Sequence, residues 1–229
     1  KTLPKLLDLL RIRGCIVTID AMNCQKQTVA KITEKGADYV VCLKDNHSYL
    51  RGHVEEIFAA IDSGKGPKIP RHRYEDAPEK RAQGRGEIRS YCTLSKKDAR
   101  KIHHLDLGNE WSKLDSITQV TSVRQQGEQA PTIATRYYLS SLRAEEVIRI
   151  AQAIRSHWEV ENQLHWSLDV TFREDESRIR KQNSPVNFAM VRRLVLNLLR
   201  ADSLPKSLRR KRKCCGWSPA YLLKVLTNH

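Results

Sequence analysis

The chain has 229 residues, 40% of them apolar, and a formal net charge of +15 from 41 Lys and Arg against 26 Asp and Glu. A chain of this length can bury an ordinary core, and its negative mean hydropathy, with no apolar run near the ~18 residues of a membrane span, excludes a disordered chain, a miniature scaffold and a membrane protein. Ser177 to Lys213 alone holds twelve Lys or Arg against one acid, Asp202, a concentration tolerated best beside a polyanion such as nucleic acid.

The opening KTLPKLLDLLRIRG spaces leucines for a helix over residues 3–11, and charges break the run where a signal peptide stays apolar. Export is therefore not expected. The missing initiator methionine adds the expectation that residues upstream are absent. After Gly14, the β-branched run Cys15 to Ile19 predicts a strand buried on both faces, ending at Asp20. Residues 24–35 suit an amphipathic helix closed by Gly36, and Tyr39 to Leu43 predict a second buried strand ending in Lys44-Asp45-Asn46. Strand, helix and strand at this spacing read as a parallel βαβ unit. Ser48 is expected to cap a helix reaching about Ile61.

Composition changes between Asp62 and Pro131: Gly, Pro and charges cluster, then alternating segments near 87–94, 115–124 and 132–139 predict an inserted, mostly β, subdomain. A long helix is predicted from 143 to about 166, with Glu145 and Glu146 in its first turn. A short helix over 185–201, the basic run and an amphipathic stretch from Trp217 to Leu226 follow. The fold class is α/β, divided as 1–61, 62–140, 141–201 and 202–229. The six cysteines lack the spacing of a zinc site.

An aspartate ending a buried strand sits where open α/β sheets gather ligands, or it caps the next helix. In the long helix, positions 147, 151, 154, 158, 161, 165 and 168 form a heptad-like stripe that puts Glu161 on the buried side. A buried carboxylate must be protonated, paired, for example with Arg155 or a histidine, or bound to metal. Asp20 and Glu161 together would suit Mg²⁺, a hard ion that takes oxygen ligands. His157, Glu161 and His165 share one helix face, but the zinc-hydrolase pattern His-Glu-x-x-His is absent. Trp158 and Trp166 read as packing residues.

The segments IVTIDAMNCQKQTVAKI, YVVCLKDNH, TRYYLSSL, IRSHWEVENQLHWSLDVTFRED and SRIRKQNSPVNFAMVRRLVLNLL resemble, in order, the H-repeat-associated branch of bacterial insertion-sequence DDE transposases. The resemblance implies a ribonuclease H-like core whose Asp, Asp and Glu bind two Mg²⁺ or Mn²⁺ ions and cut double-stranded DNA, with a homodimer on the DNA. By the same resemblance, Asp20 in TIDAMNCQ matches the second aspartate and Glu161 in HWEVEN the glutamate, so both are expected to be catalytic and metal-binding. The family's first aspartate, in an Ile-Asp-Gly-Lys context, has no match, and Asp8 lies in a leucine-rich helix pattern. The expectation is a core without its first strands and an inactive, truncated copy, a non-catalytic DNA-binding remnant, or another metallonuclease completed by Asp169 or the acids Glu174 to Glu176. Leu43-Lys44-Asp45-Asn46-His47 replaces Leu-Lys-Gly-Asn-Gln, Gln83-Gly84-Arg85 replaces His-Gly-Arg, and His157 stands where the wider group has arginine. Lys44, Arg85, His157, Arg178, Arg180 and Lys181 are the candidate DNA-backbone contacts, with Arg209 to Lys213 extending them.

Overall fold

The β-branched run after Gly14 forms a strand, and Gly36, at φ +72°, ends the helix that follows, because a left-handed backbone suits a residue without Cβ. The computed structural model describes residues 3–20, 24–64, 67–77, 79–81, 85–102, 111–127 and 129–227, with the backbone alone for 79–81, 85, 126, 161 and 162. The elements of the first part are α1 (Leu3–Leu9), β1 (Ile16–Ile19), α2 (Lys26–Glu34), β2 (Asp38–Leu43) and α3 (Ser48–Asp62). β1 and β2 are parallel, with Ile16 opposite Asp38 and Ile19 opposite Val41. The chain continues through β3 (His72–Glu75), β4 (Glu79–Arg81), β5 (Arg85–Ser95), α4 (Lys96–Ile102), β6 (Ser116–Gln126) and β7 (Thr132–Ser140).

The strands within 62–140 hydrogen-bond into one sheet with β1 and β2, in the order β1-β2-β7-β6-β5-β3, with β4 on β5. The serines at the end of β7 fasten this join. Ser141 Oγ donates to Asp38 Oδ1 at 2.9 Å and accepts from the Tyr39 amide. Ser140 Oγ donates to the Tyr39 carbonyl.

Alternation in the strands divides the side chains between two faces. Tyr39, Val41, Leu43, Ile117 and Leu139 join Val29 and Ile32 of α2 and Val54, Ile57 and Phe58 of α3 in one core. α5 (Val147–Glu159) buries Val147, Ile150, Ala151 and Ile154, and its last turn meets Thr18 on the opposite face of β1. Arg155 of α5 pairs with Asp76, just after β3, at 2.9 Å, and Tyr91 of β5 donates to the same carboxylate oxygen.

Several expectations change. β1 lies at the edge of the described sheet and is only half-buried over Ile16 to Thr18, since an edge strand is covered less than its composition implies. Ser48 does not cap α3. A 3₁₀ turn, Asp45–His47, precedes it, and the N-cap position falls to His47, whose side chain makes no capping bond. The predicted helix from 143 is broken into a 3₁₀ turn (Ala144–Glu146), α5, a π-helical turn (Val160–His165) and α6 (Trp166–Phe172). A π turn shifts the helical phase: along the expected stripe Ile154 is buried, Trp158 is half-buried and His165 is exposed, and burial resumes at Ser167 and Leu168. Trp166, read as a packing residue, is 60% exposed.

Residues 1–157 form one unit and 158–229 another. The second contains α6, α7 (Ser184–Ala201), α8 (Leu208–Trp217) and α9 (Pro219–Thr227). The expected short helix is thus the 18-residue α7, and much of the basic run is helical. Buried Asp202, after α7, ties these helices together. Its carboxylate accepts from Tyr221 Oη at 2.7 Å and from the Leu204 amide, and Lys211 Nζ lies 3.4 Å away. The Tyr221 hydroxyl, then the Leu204 amide and Lys211, hold Asp202 below the ordinary carboxylate range against the cost of burial.

Candidate functional site

The site begins where β1 and β2 end side by side. Asp20 directly follows β1 and Lys44 directly follows β2, and Lys44 Nζ donates to Asp20 Oδ1 at 3.0 Å. The carboxylate holds Lys44 above its ordinary pKa, with burial opposing. The helix-cap alternative for Asp20 does not hold, because α2 begins at Lys26 with Gln25 before it. Continuing the strand alternation, Asp20 lies on the face of Thr18, which is the face reached by α5.

The rest of the Leu43-Lys44-Asp45-Asn46-His47 motif braces the chain beyond Asp20. Asn46 Nδ2 donates to the Cys24 carbonyl at 3.4 Å, and His47 Nε2 lies 2.7 Å from the same oxygen. The His47 ring also packs edge-on against buried Trp111, with centroids 5.3 Å apart. Cys24 is fully buried, and burial, then the neighbouring Cys42 and Asp20, pushes its thiol up to about 12. Residues 21–23, between Asp20 and this brace, lie outside the described residues.

Two further groups approach these strand ends. His157 Nδ1 lies 3.2 Å from Thr18 Oγ1 and is hydrogen-bonded to it, which fixes the last turn of α5 two residues before Asp20 on β1. Leu43 pairs with Tyr137 across β2 and β7, so Arg136 falls in line with Lys44, and its positive charge acts on both Lys44 and Cys42. Sequence reasoning missed Asn46, His47 and Arg136. The polar cluster closing the second parallel strand was the available signal for the first two. Arg136 needed the β2 to β7 pairing.

The other candidates are more dispersed. Glu161 belongs to the π-helical turn, but its side chain lies outside the described residues. Arg155, considered as its partner, is held by Asp76. Arg85 is the first residue of β5, opposite Gln126, and its side chain too lies outside the described residues. Arg178, Arg180 and Lys181 are exposed in the segment between α6 and α7, where the Arg180 guanidinium turns back onto the carbonyls of Ser177 and Ile179 at 2.8 and 2.9 Å. Glu174, a candidate for an alternative site, lies 3.8 Å from both Arg192 and Arg193.

Among the described residues no group of three or more His, Cys, Asp or Glu is placed to hold a metal ion. Asp20 is the one family-matched carboxylate whose side chain is described. Its chemistry suits a divalent cation, since it offers a half-exposed hard oxygen donor that already attracts the Lys44 ammonium. No helix among the described residues is long and apolar enough to cross a membrane.

Comparison with known proteins adds the family. A family model described as "Transposase DDE domain" matches residues 1–198. The chain is 36% identical over 230 residues to "Putative protein YbfL" and, over the same length, to "H repeat-associated putative transposase YhhI", both of Escherichia coli strain K12. Each alignment covers 98% of this chain and 58% of the relative. It is 33% identical to "Putative transposase YncI" of Escherichia coli O157:H7, covering 99% of this chain and 56% of that protein. The chain thus spans a little under three-fifths of the length of these relatives. With a mixed α/β sheet carrying Asp20 at the end of its parallel pair, and with a match across most of its length, the chain belongs to the DDE transposase domain family.

Proposed function

We propose that this chain is part of the catalytic region of an insertion-sequence transposase of the H-repeat-associated branch, whose intact form acts on double-stranded DNA by metal-dependent cleavage and strand transfer, and that this chain is a truncated, inactive copy. The observation that carries the reading is the position of Asp20, at the carboxyl ends of two parallel strands and on the face reached by α5. In this reading the core is ribonuclease H-like with its first strands outside the chain. The edge of β1, unpaired among the described residues, supports it. Residues 62–140 act as the inserted segment of that core and 202–229 as its basic appendage.

Asp20 and Glu161 would hold Mg²⁺ or Mn²⁺, with two ions in the complete family site. When bound, the metal would activate water, and then the freed 3′ hydroxyl, for in-line attack on a phosphodiester. The chain's own residues neutralise and position. Lys44 balances the Asp20 carboxylate and would place its ammonium beside a DNA phosphate at the same strand ends. His157, steadied by Thr18, fixes the helix turn before Glu161, and π turns often accompany functional sites. Lys44, Arg85, His157, Arg178, Arg180 and Lys181 contact the DNA backbone, and a homodimer on DNA is the working form. Two carboxylates do not place two ions within roughly 4 Å of each other, so the chain by itself is expected not to cut.

Calorimetric titration with Mn²⁺, together with a supercoiled-plasmid nicking assay, tests this. Saturable binding that disappears in Asp20→Ala and in Glu161→Ala, with the plasmid left intact, supports it. Absence of binding sinks the metal centre. A second reading, a non-catalytic DNA-binding remnant, is favoured by the basic surface of the second unit, and salt-sensitive DNA binding that survives both substitutions would select it. Nicking abolished by Asp169→Ala or Glu174→Ala would point to a different metallonuclease. The two arginines beside Glu174 argue against that.

A further inference from the structure

Residues beyond 198 lie outside the family match, and the basic run there is sorted by helix α8 into two classes. Lys211 is turned inward and is 6% exposed. Its ammonium donates to the carbonyls of Leu199, at 3.0 Å, and Asp202. Arg212 donates to the Thr171 carbonyl and lies over the Phe172 ring, 5.7 Å from its centroid. These two cations hold α8 against α7 and α6. Ser207 caps the helix by accepting from the Arg210 amide at 3.4 Å, so the outward face is presented on a fixed element.

That face carries Arg209, Lys213 and Trp217 at successive four-residue steps, with Arg210 alongside. All four are exposed, Trp217 by 73%. Among the described residues no carboxylate pairs with Arg209, Arg210 or Lys213, whereas the inward cations are fully engaged. Charges that serve stability would be expected to find partners, as Lys211 and Arg212 do.

We propose that the outward face of α8 is a DNA-backbone contact made without the strand-end residues, with Arg209, Arg210 and Lys213 on phosphates of a duplex and Trp217 against the adjoining sugar or base edge. The choice of DNA rests on the transposase reading, but the surface does not depend on any catalytic residue. Arg209 and Lys213 stand roughly 6 Å apart along the helix, against about 3.4 Å of axial rise per phosphate in one strand, so consecutive cations reach different phosphates. A membrane surface is the poorer fit, because an interfacial helix needs a broad apolar face opposite its charges. The outward face has only Trp217, and Leu208 lies on the side of Lys211.

The test is fluorescence anisotropy of the full chain with a labelled DNA duplex, without divalent metal, over a salt series. In Arg209→Gln/Arg210→Gln/Lys213→Gln, the slope of log affinity against log salt should shrink by about two to three, and binding at low salt should weaken roughly tenfold to a hundredfold. Arg11→Gln/Lys68→Gln/Arg71→Gln removes the same charge from exposed positions of the first unit and should change the slope less. DNA should also quench tryptophan emission in the wild type but much less in Trp217→Phe. Equal slopes in the two triple variants overturn the proposal while leaving DNA binding intact. Wild type failing to bind DNA overturns both it and the reading of DNA as partner. A Trp217 response to phosphatidylserine vesicles and none to DNA overturns it in favour of a lipid surface. Far-UV circular dichroism of each variant checks that α8 is retained.

Discussion

Lys44 Nζ and Asp20 Oδ1, 3.0 Å apart, join the ends of two adjacent parallel strands through a bond between residues 24 apart in the chain. Both side chains are 45% exposed, so the pair adds under about 1 kcal/mol to stability. Its larger effect is on competition for the carboxylate. Lys44→Ala should leave the urea midpoint almost unchanged and tighten Mn²⁺ binding severalfold, and calorimetry reads the change directly. Weaker metal binding in this variant would mean that Lys44 supports the site in another way.

The Tyr91, Asp76 and Arg155 cluster predicts a contrasting stability series. Asp76 is 8% exposed and takes both of its partners on one oxygen. Asp76→Ala removes the acceptor of the Tyr91 hydroxyl and the carboxylate bonded by Arg155, and should cost about 3 kcal/mol. Tyr91→Phe removes one hydrogen bond and should cost about 1 kcal/mol. Urea denaturation of the two single variants and of the double variant measures the coupling, and the double should cost less than the sum.

Asp202 sets the acid response of the helices around it. Its folded pKa is depressed, first by the Tyr221 hydroxyl, so the native state binds its proton less readily than the unfolded chain. The stabilisation is therefore present above the ordinary aspartate pKa and is lost as pH falls through the depressed folded value. Thermal melts followed by circular dichroism should show the helical signal weakening below about pH 4. Asp202→Asn should reduce that pH dependence.

Thiol reactivity should follow burial. Cys15 is exposed, while Cys24 and Cys42 are buried, and the Cys24 thiol is pushed up to about 12 by burial first. At mildly alkaline pH, iodoacetamide followed by peptide mass spectrometry should label Cys15 rapidly, and should label Cys24 and Cys42 only in denaturant. Fast native labelling of Cys24 would show that the brace from Asn46 and His47 opens readily.

The βαβ unit was legible because a β-branched run, a helical period and Gly36 agree at every step. The pairing of Asp20 with Lys44 was not, since each strand end reads as a place for a ligand without naming its neighbour. The π turn escaped for a different reason: apolar residues continue on both sides of Val160 to His165, and one extra residue per turn leaves no compositional mark. Charge counting found the basic run. It could not separate Lys211 and Arg212, which hold the helices together, from Arg209, Arg210 and Lys213, which face water, because that separation depends on where the Leu199, Asp202 and Thr171 carbonyls come to lie.

The sheet order also governs how the chain assembles in time. β1 and β2 meet across one short helix, and β5, β6 and β7 pair as sequence neighbours, but the seam between β2 and β7 joins residues about a hundred positions apart, as in the Tyr39 to Ser141 bond. Loop closure makes such a seam slow to form. The meander from β5 to β7 is thus expected to form as one piece and dock onto β2 last, bringing Arg136 to the strand ends only in that final step. Asp20 and Lys44 can meet before then, so the acidic end of the crevice is assembled ahead of its second cationic wall.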